Sequence, residues 1–568
     1  MFPKSSLLRT VASLSLIAFM GAGLGTGCKK KPSDEPEVVD VDAWKVNADL
    51  LASYVPADVQ SVLFINDFRT TFQSYQGMRD RAAAYIGDLA SVEADLRNTL
   101  GFDPVRPQNL SQIGVNPEGG AYCALGASTH YCGVLLDDAS VFEAHARTVL
   151  AGQPFNHRAA VQESALPGGG KLLRFSTDEG GPVQVALVVA EKIAVVIPRP
   201  SGTNLDGLAA SLEGPAQTPL RDLETYRKTL EHNGRDAAWI WLSPLAAKRQ
   251  LQRVTMLGDA LPDMSNVEGA IVGLKLASDA FHGSFSIAIN GDDPRVRAVL
   301  KPSEGTEAAD FSRFVNNDAY LVLRARADLK TLASTLRSAA NDEAVGGAED
   351  AIRATLGDID VEAIEAQLTE ALGSDMLIVA TRARLLTLAA LARGSEPNAR
   401  ALGDGLGLII AYQLRDASKA RALLQELVAK NAAVLRYDPA DERPERWTVL
   451  SGKAAGTVLS VADDVLVAAT ERQMSDVVSM LASTTAPELT EISAEEGRAL
   501  RTKTEDIGIF IDLKRVANNA IGTIASGKLS ASMKDGLQLF DEFWMRANLE
   551  DQWLTGTWRI QLSTPARQ

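Results

Sequence analysis

Residues 186–196 read ALVVAEKIAVV, and residues 458–468 read VLSVADDVLVA. In both stretches an apolar run stops at two charged residues, Glu191-Lys192 in the first and Asp463-Asp464 in the second, and then resumes. A two-residue polar break between apolar runs is typical of a tight hairpin that joins antiparallel strands. The two stretches match along their whole length. The pattern therefore predicts one strand–hairpin–strand motif that the chain contains twice.

Four further pairs of segments repeat in the same order around these hairpins. Residues 54–58 match 314–318, 136–140 match 414–418, 236–241 match 506–511, and 281–287 match 554–560. Each match is short, but a preserved order of matches indicates an internal duplication. We therefore predict two tandem related modules, residues 45–300 and 311–568, joined by a polar connection near residues 291–310.

Each predicted module combines strands with helices. Alternating or β-branched runs such as residues 61–65 predict strands. Helical patterns follow several strands, where Asp138 or Ser140 can cap one helix and Asp416 or Ser418 its counterpart. Strands joined by hairpins, with helices between groups of strands, predict an α+β fold. We expect mainly antiparallel sheets with helices packed on one face.

Residues 1–27 have the parts of a secretory signal. Lys4 and Arg9 give a positive start, residues 11–24 are apolar, and small residues precede Cys28. The apolar run is shorter and richer in glycine than a membrane-spanning helix. The segment LGTGC at 24–28 resembles the lipobox of bacterial lipoproteins, in which the cysteine is acylated and the upstream peptide removed. The resemblance implies a lipid anchor on Cys28; the alternative is a plain secretory signal cleaved nearby.

Residues 28–44 predict a flexible tether, because they are mostly charged or polar and contain Pro32 and Pro36. The lysines at 29–31 either contact anionic lipid headgroups or are simply solvated. No Asp follows Cys28 directly, and in the lipoprotein family an Asp at that place signals retention in the inner membrane. The resemblance therefore implies the cell envelope, and within it the outer membrane of a host with two membranes.

Composition bears on the partners. The 568 residues include 57 basic and 72 acidic side chains, a formal net charge of −15. Nucleic-acid binding needs a basic face, so the composition argues against a nucleic-acid partner. We predict the membrane as a partner, through the lipid anchor, and an envelope protein as a second one. The sequence does not fix the oligomeric state.

Apart from Cys28, the sequence contains two cysteines. Cys123 and Cys132 flank a strand–turn–strand pattern with Gly126 near the turn. In the oxidising surroundings of an exported chain, a lone cysteine pair predicts a disulfide. A zinc site is the alternative, but it lacks ligands because His130 is the one further candidate nearby.

The sequence lacks the common catalytic patterns. Its five histidines form no HExxH arrangement, and no Gly-x-Ser-x-Gly elbow occurs. Residues 168–171 read GGGK, but their spacing fits a hairpin turn better than a phosphate-binding loop. Trp239 and Trp241 share one strand face, which favours core packing over a platform for sugar rings. We therefore predict no catalytic residue, no metal site and no cofactor.

Three short motifs carry a wider resemblance: YVPAD at 54–58, LGFDP at 100–104 and IGVNPEGG at 113–120. On these motifs most of the predicted mature chain resembles a group of uncharacterised secreted bacterial proteins and lipoproteins. The resemblance implies a similar architecture and an exported location, but it implies no activity.

Three functions follow from these observations. We predict a membrane-anchored envelope lipoprotein with a non-enzymatic binding, scaffolding or assembly role, because no recognisable catalytic constellation occurs. A hydrolase of envelope polymers is an alternative, since a pair of catalytic carboxylates needs no fixed sequence spacing. A carrier of a lipid or other apolar ligand is the other, and it predicts a dry cavity.

Overall fold

The structure is a computed structural model. It describes residues 41–69, 71–72, 76, 78–79, 94, 97, 106–126, 130–151, 160–176, 179–198, 200, 204–233, 236–254, 267–277, 279–290, 309–326, 361–382, 399–439, 445–451, 455–462, 464–482, 507–523, 538–550 and 552–563. The predicted signal segment, the lipidation site Cys28, most of the predicted tether and most of the predicted connection at 291–310 lie outside these residues.

The chain divides into two compact units. Unit 1 lies within Met1–Gln250, Val267–Ala288 and Gln561–Gln568, and unit 2 lies within Leu251–Asn266 and Ile289–Ile560. The first helix begins at Val41, inside the segment predicted as a tether. It begins there because Trp44 packs into the core and donates its indole N–H to the backbone oxygen of Asp236, 3.0 Å away.

The strands of unit 1 form one antiparallel arrangement. Their order is β4-β5-β6-β7-β3-β2-β1-β8-β9-β10. Their bounds are β1 Ser61–Ile65, β2 Ala121–Leu125, β3 His130–Leu135, β4 Ala160–Ala165, β5 Lys171–Ser176, β6 Val183–Val189, β7 Ile193–Pro198, β8 Ala238–Leu242, β9 Val267–Leu276 and β10 Ala280–Ile289.

Unit 2 repeats this connectivity. Its order is β14-β15-β16-β17-β13-β12-β11-β18-β19-β20. Each pairing of unit 1 therefore recurs between strands numbered ten higher. The bounds are β11 Leu321–Arg326, β12 Leu372–Ala380, β13 Leu408–Leu414, β14 Leu435–Asp438, β15 Arg446–Val449, β16 Thr457–Val461, β17 Val465–Thr470, β18 Ile507–Asp512, β19 Phe540–Glu550 and β20 Trp553–Leu562.

Most helices connect the strands at corresponding places in the two units, but the helix Ala399–Leu406 between β12 and β13 has no counterpart among the described residues between β2 and β3. In unit 1 the bounds are α1 Val41–Ser53, α2 Pro107–Gln112, α3 Ala139–Ala151, α4 Leu205–Leu212, the 3-10 helix η1 Leu220–Asp222, α5 Glu224–Glu231 and α6 Pro244–Val254, which runs into unit 2. In unit 2 they are η2 Ser312–Phe314, α7 Val361–Ala371, α8 Ala399–Leu406, α9 Ala417–Lys430, α10 Glu471–Ala482 and α11 Leu513–Thr523.

The helix after the third strand begins in the same way in both units. The Asp138 carboxylate accepts hydrogen bonds from the backbone of Ser140 and Val141, at 2.9 and 3.0 Å. The Asp416 carboxylate accepts the corresponding pair at the start of α9, also at 2.9 and 3.0 Å. Such a cap satisfies backbone N–H groups that have no partner inside the helix. Of the two predicted caps at each helix, the aspartate is the one that forms.

Both faces of each sheet carry helices. In unit 1, Phe64 belongs to an apolar cluster with α1, α4 and α5, whereas its neighbour Ile65 belongs to a second cluster with α2 and α3. Unit 2 has one cluster with α10 and another with α7 and α9. The predicted α+β class with antiparallel strands is confirmed. Helices cover two faces rather than the expected one, because strands such as β6 are buried at successive positions and present apolar surface on both sides.

The register of one predicted match differs by one residue. Val62 lies opposite Trp241 in unit 1, and its counterpart Val322 lies opposite Phe510 in unit 2. Trp241 therefore corresponds to Phe510. The predicted match of residues 236–241 with 506–511 aligns Trp241 with Ile511 instead. A slip of one residue moves a side chain to the opposite face of a strand, so only the paired structure fixes this detail.

Candidate binding cleft in unit 2

A cleft of about 650 Å³ lies in unit 2, between helix α10, strand β13 and the segment that precedes β11. Its volume falls in the range of about 300–1,000 Å³ that is usual for small-molecule sites. The lining side chains are polar, charged and apolar in turn: Arg313, Asn316, Asp318, Thr381, Arg382, Ile409, Gln473, Asp476, Ser479 and Met480.

Arg382 carries a charge that has no counter-ion among the described residues. Its backbone N–H donates to the Leu406 oxygen at 2.8 Å, which anchors the main chain at the cleft. Its Nη1 atom is buried and has no hydrogen-bond partner, and among the described residues no carboxylate pairs with the guanidinium. A partly buried cation without a partner is unfavourable, so this arginine is suited to an anionic ligand.

Arg313 is the second cation of the cleft, and its position is fixed. Its Nη2 atom donates to Asp464 at 2.5 Å, and the guanidinium lies 5.3 Å from the ring centre of Phe314. The Nε atom is buried and has no hydrogen-bond partner. The ion pair holds one end of the guanidinium, so the group is held in place by contacts that do not need a ligand.

The uncharged polar side chains of the cleft are engaged in scaffold contacts. Gln473 donates to the Gly403 oxygen at 2.8 Å and accepts from the Thr470 hydroxyl at 2.5 Å. The Thr381 hydroxyl donates to the Gly407 oxygen, and the Ser479 hydroxyl donates to the Ser475 oxygen, both at 3.2 Å. A hydroxyl that donates to a backbone carbonyl is not activated by a base, so these contacts do not prepare a nucleophile.

Two carboxylates mark the rim. Asp318 and Asp476 are solvent-exposed, whereas Arg313 and Arg382 are half-buried. Ile409 is only 2% exposed and provides apolar wall together with Met480. The cleft thus has cations inside, acids outside and an apolar side.

Unit 1 places different side chains at the corresponding positions. Tyr131 stands where unit 2 has Ile409, and its ring packs edge-on against Tyr122 at 6.2 Å between ring centres. Burial raises the pKa of Tyr131 well above its ordinary value. Ser53 stands where unit 2 has Arg313, and its hydroxyl donates to the Leu50 oxygen at 2.6 Å. The arginine at 313 is therefore not shared by the corresponding position of unit 1.

The predicted disulfide is present. Cys123 and Cys132 lie directly opposite each other on β2 and β3, and their sulfur atoms are bonded. The predicted zinc alternative has no support here, because within the described ranges no three His, Cys, Asp or Glu side chains come close enough to hold a metal ion.

Within the segment 168–171, the three glycines form the hairpin turn between β4 and β5, as predicted, and Lys171 begins β5. Gly169 has φ +92°, a left-handed conformation that favours glycine. The backbone N–H groups of Gly168 and Gly170 donate to the two carboxylate oxygens of Glu213, at 2.7 and 3.3 Å. The chain's own carboxylate thus occupies the position that an external anion would take.

The tryptophans of β8 are core residues. Trp239 and Trp241 are both 0% exposed, and Trp239 stacks on Phe64 with 5.1 Å between ring centres. Neither offers a face to a sugar ring, so the prediction of core packing is confirmed.

The described histidines lie on or beside different elements. His130 is exposed on β3, and the His232 Nδ1 atom lies 2.9 Å from the Lys228 oxygen. His157 lies outside the described residues. None of the helices that the structure describes is long and apolar enough to cross a membrane.

The cleft was not predicted from the sequence. Its residues come from four separate segments of unit 2, and arginines at 313 and 382 look like ordinary surface residues when read singly. The available signal was the residue that directly precedes the matched segments 54–58 and 314–318, which is Ser53 in the first and Arg313 in the second.

No protein-family model and no curated protein sequence matches the chain. Solved structures that are similar include crystal form IV of TP0453, with a TM-score of 0.25 and 11% identity, covering 43% of this chain and 83% of that one. Crystal form I of TP0453 gives a TM-score of 0.24 and 13% identity, covering 43% and 80%. At these scores the likeness supports no conclusion about fold or function.

Proposed function

We propose that this chain is a lipid-anchored protein of the cell envelope that acts by binding rather than by catalysis. The observation that carries the proposal is the cleft of unit 2. There two arginines have N–H groups that find no partner among the described residues, while the neighbouring hydroxyls donate to backbone carbonyls. Such an arrangement suits recognition of a ligand, because it provides fixed donors without an activated nucleophile.

Export is supported by two independent features. The N-terminal pattern ends in a lipobox-like segment at Cys28, and the remaining two cysteines form a disulfide. Disulfides persist mainly in oxidising compartments outside the cytoplasm. An acylated Cys28 would hold the two units at a membrane surface, and the outer membrane is the location we propose.

We further propose that the two units arose by duplication and that they diverged in function. The support is the recurrence of every strand pairing, together with the different side chains at the cleft. Unit 1 then serves as a scaffold, because its corresponding positions are taken by packed aromatic and small side chains.

The anchor can be tested by growing cells with labelled palmitate. The wild-type chain should carry the label and fractionate with membranes, whereas Cys28→Ser should lose the label. Cys123→Ala is the matched control and should keep it. An unlabelled wild-type chain in the soluble fraction would refute the anchor.

The binding role can be tested by native mass spectrometry on the full chain, gently extracted from its own membranes. A retained ligand or protein partner would support the proposal. Turnover of an envelope polymer by the purified chain, abolished by a substitution at one acidic residue, would overturn it in favour of a hydrolase.

A further inference from the structure

We infer that the cleft of unit 2 binds a small amphiphile, one anionic carboxylate or phosphate group attached to an apolar portion. The inference rests on the proposed binding function and names the ligand class for the same cleft. Arg382 is the principal partner of the anionic group, and Arg313 is a second, pre-positioned cation.

The first step is the unpaired charge of Arg382. Among the described residues its guanidinium has no carboxylate partner, and its Nη1 atom is buried without a hydrogen bond. By contrast, Arg324 and Arg326 of the same unit are paired with the buried Asp375. An anionic group in the cleft would pair with Arg382 as Asp375 pairs with Arg324 and Arg326. The contact would be a charge-assisted hydrogen bond, which is stronger than one between neutral groups.

The second step is the arrangement of Arg313. Its contacts with Asp464 and Phe314 hold the guanidinium without help from a ligand. A cation that is already immobilised loses little side-chain entropy when an anion arrives. Arg313 can therefore add attraction for an anion although one of its nitrogens is already engaged.

The third step is the apolar wall. Ile409 is buried and Met480 is half-buried, and both line the same cleft as the arginines. Burial of an apolar portion against these side chains contributes binding free energy that a free inorganic anion cannot obtain. Methionine adapts its shape readily, which suits an unbranched apolar segment.

The fourth step is the acidic rim. Asp318 and Asp476 are exposed at the cleft, so they repel ligands that carry several negative charges outside the arginine region. A polyanion is disfavoured, whereas a single anionic group that passes the rim meets the arginines. The charge pattern thus selects one localised negative charge.

The test uses isothermal titration calorimetry on the full-length chain held in amphipol, with ligand-free amphipol subtracted. The probes are octanoate, octyl phosphate, octyltrimethylammonium and inorganic phosphate. We expect the two anionic amphiphiles to bind at least tenfold more tightly than the cationic amphiphile or inorganic phosphate. Tighter binding of octyl phosphate would indicate a phospholipid-type source, and tighter binding of octanoate a fatty-acid-type source.

Arg382→Gln removes the charge but keeps a planar polar group, and should weaken binding of the anionic amphiphiles roughly 10- to 100-fold. Arg472→Gln is the matched control, since Arg472 lies exposed on the same helix as Gln473 but does not line the cleft. It should leave affinity unchanged. Because the Arg382 guanidinium has no partner in the described part of unit 2, its variant should unfold at the same urea concentration as the wild type or a higher one.

Equal affinity for anionic and cationic amphiphiles, or unchanged affinity in Arg382→Gln, would overturn the inference. Binding of inorganic phosphate as tight as octyl phosphate would refute the apolar portion. These failures are distinguishable from failure of the proposed function. A retained protein partner in native mass spectrometry with no amphiphile binding would leave the binding role standing, whereas catalytic turnover would remove it.

Discussion

Ile378 and Ile410 lie directly opposite each other on strands β12 and β13. They occupy the positions that Cys123 and Cys132 hold on β2 and β3 in unit 1. The same cross-strand pair is therefore a covalent link in one unit and an apolar contact in the other. The architecture accepts both solutions, so the disulfide adds stability to a sheet whose pairing does not depend on it.

Replacing both cysteines, Cys123→Ala with Cys132→Ala, should lower the free energy of unfolding of unit 1 by about 2–3 kcal/mol, because the bond closes a short loop with a sequence separation of 9. Urea unfolding followed by circular dichroism measures the change. A reducing agent should destabilise the wild type to a similar extent and leave the double variant unaffected. Sensitivity of the double variant to the reducing agent would contradict this explanation.

Asp375 should be among the most sensitive positions of unit 2. It is fully buried, its Oδ2 accepts from the Ala309 N–H at 2.5 Å, and it pairs with Arg324 at 3.3 Å and with Arg326 at 3.0 Å. Asp375→Asn would leave two inward-facing cations without their carboxylate, and should cost about 3–5 kcal/mol of unfolding free energy.

The control for Asp375 is Asp438→Asn, on the exposed end of β14, which should change stability by less than about 0.5 kcal/mol. Chemical denaturation monitored by tryptophan fluorescence can resolve the difference. Equal stability of the two variants would mean that the buried ion pairs contribute little.

Tyr320→Phe should stabilise unit 2. The Tyr320 hydroxyl is buried without a hydrogen-bond partner, so its removal should add about 1 kcal/mol at neutral pH. Burial raises the pKa of Tyr320 from 10.0 to about 12. As pH rises, the folded chain therefore keeps this proton after the unfolded chain has lost it. The pH-dependent contribution of Tyr320 to the free energy of unfolding is fully present below pH 10 and is lost as pH rises to about 12.

The phenylalanine variant should lose less stability than the wild type across that alkaline window. Tyr437→Phe is the contrasting variant, because the Tyr437 hydroxyl donates to Glu445 at 3.0 Å and its loss should lower stability. Urea midpoints measured at several pH values test both expectations. A parallel decline of Tyr320→Phe and wild type would show that this tyrosine is not responsible for alkaline sensitivity.

Glu213→Ala should destabilise unit 1 by about 1–2 kcal/mol, because Gly168 and Gly170 would lose the carboxylate that accepts their N–H groups. Glu191→Ala, in the exposed turn between β6 and β7, is a suitable control. Hydrogen exchange at the two glycine amides should accelerate in Glu213→Ala alone. Unchanged exchange would indicate that water replaces the carboxylate without loss.

The sequence predicts the strands and their hairpins well where the two units keep the same hydrophobic pattern. The hairpins at 191–192 and 463–464 are recognisable because a charged pair interrupts two apolar runs, and Ala190 does bond to Ile193 across the first turn. The helix starts at Asp138 and Asp416 are equally local signals. These features depend on neighbouring residues, which is why single-sequence reasoning reaches them.

The cleft cannot be predicted in the same way. Arg313 and Arg382 are far apart in sequence, and nothing in their immediate neighbours distinguishes them from solvated arginines. Their significance appears only when the fold brings them into one cleft with Ile409 of β13 and Met480 of α10. The helices on the second face of each sheet were not predicted, for a related reason. A strand that is buried on both faces has a continuous apolar sequence, and the helices that cover it are distant along the chain.

The recurrence of every strand pairing has a consequence for biosynthesis. Strand β1 takes β2 on one edge and β8 on the other, and β11 takes β12 and β18 in the same manner. Because β8 and β18 hold equivalent positions, each of the central strands β1 and β11 could pair with either of them, one in its own unit and one in the other. Repeated domains are prone to such exchange during folding. Export from the N-terminus would protect against it, because β8 reaches the folding compartment before β18, and unit 1 can close its sheet before the competing strand arrives.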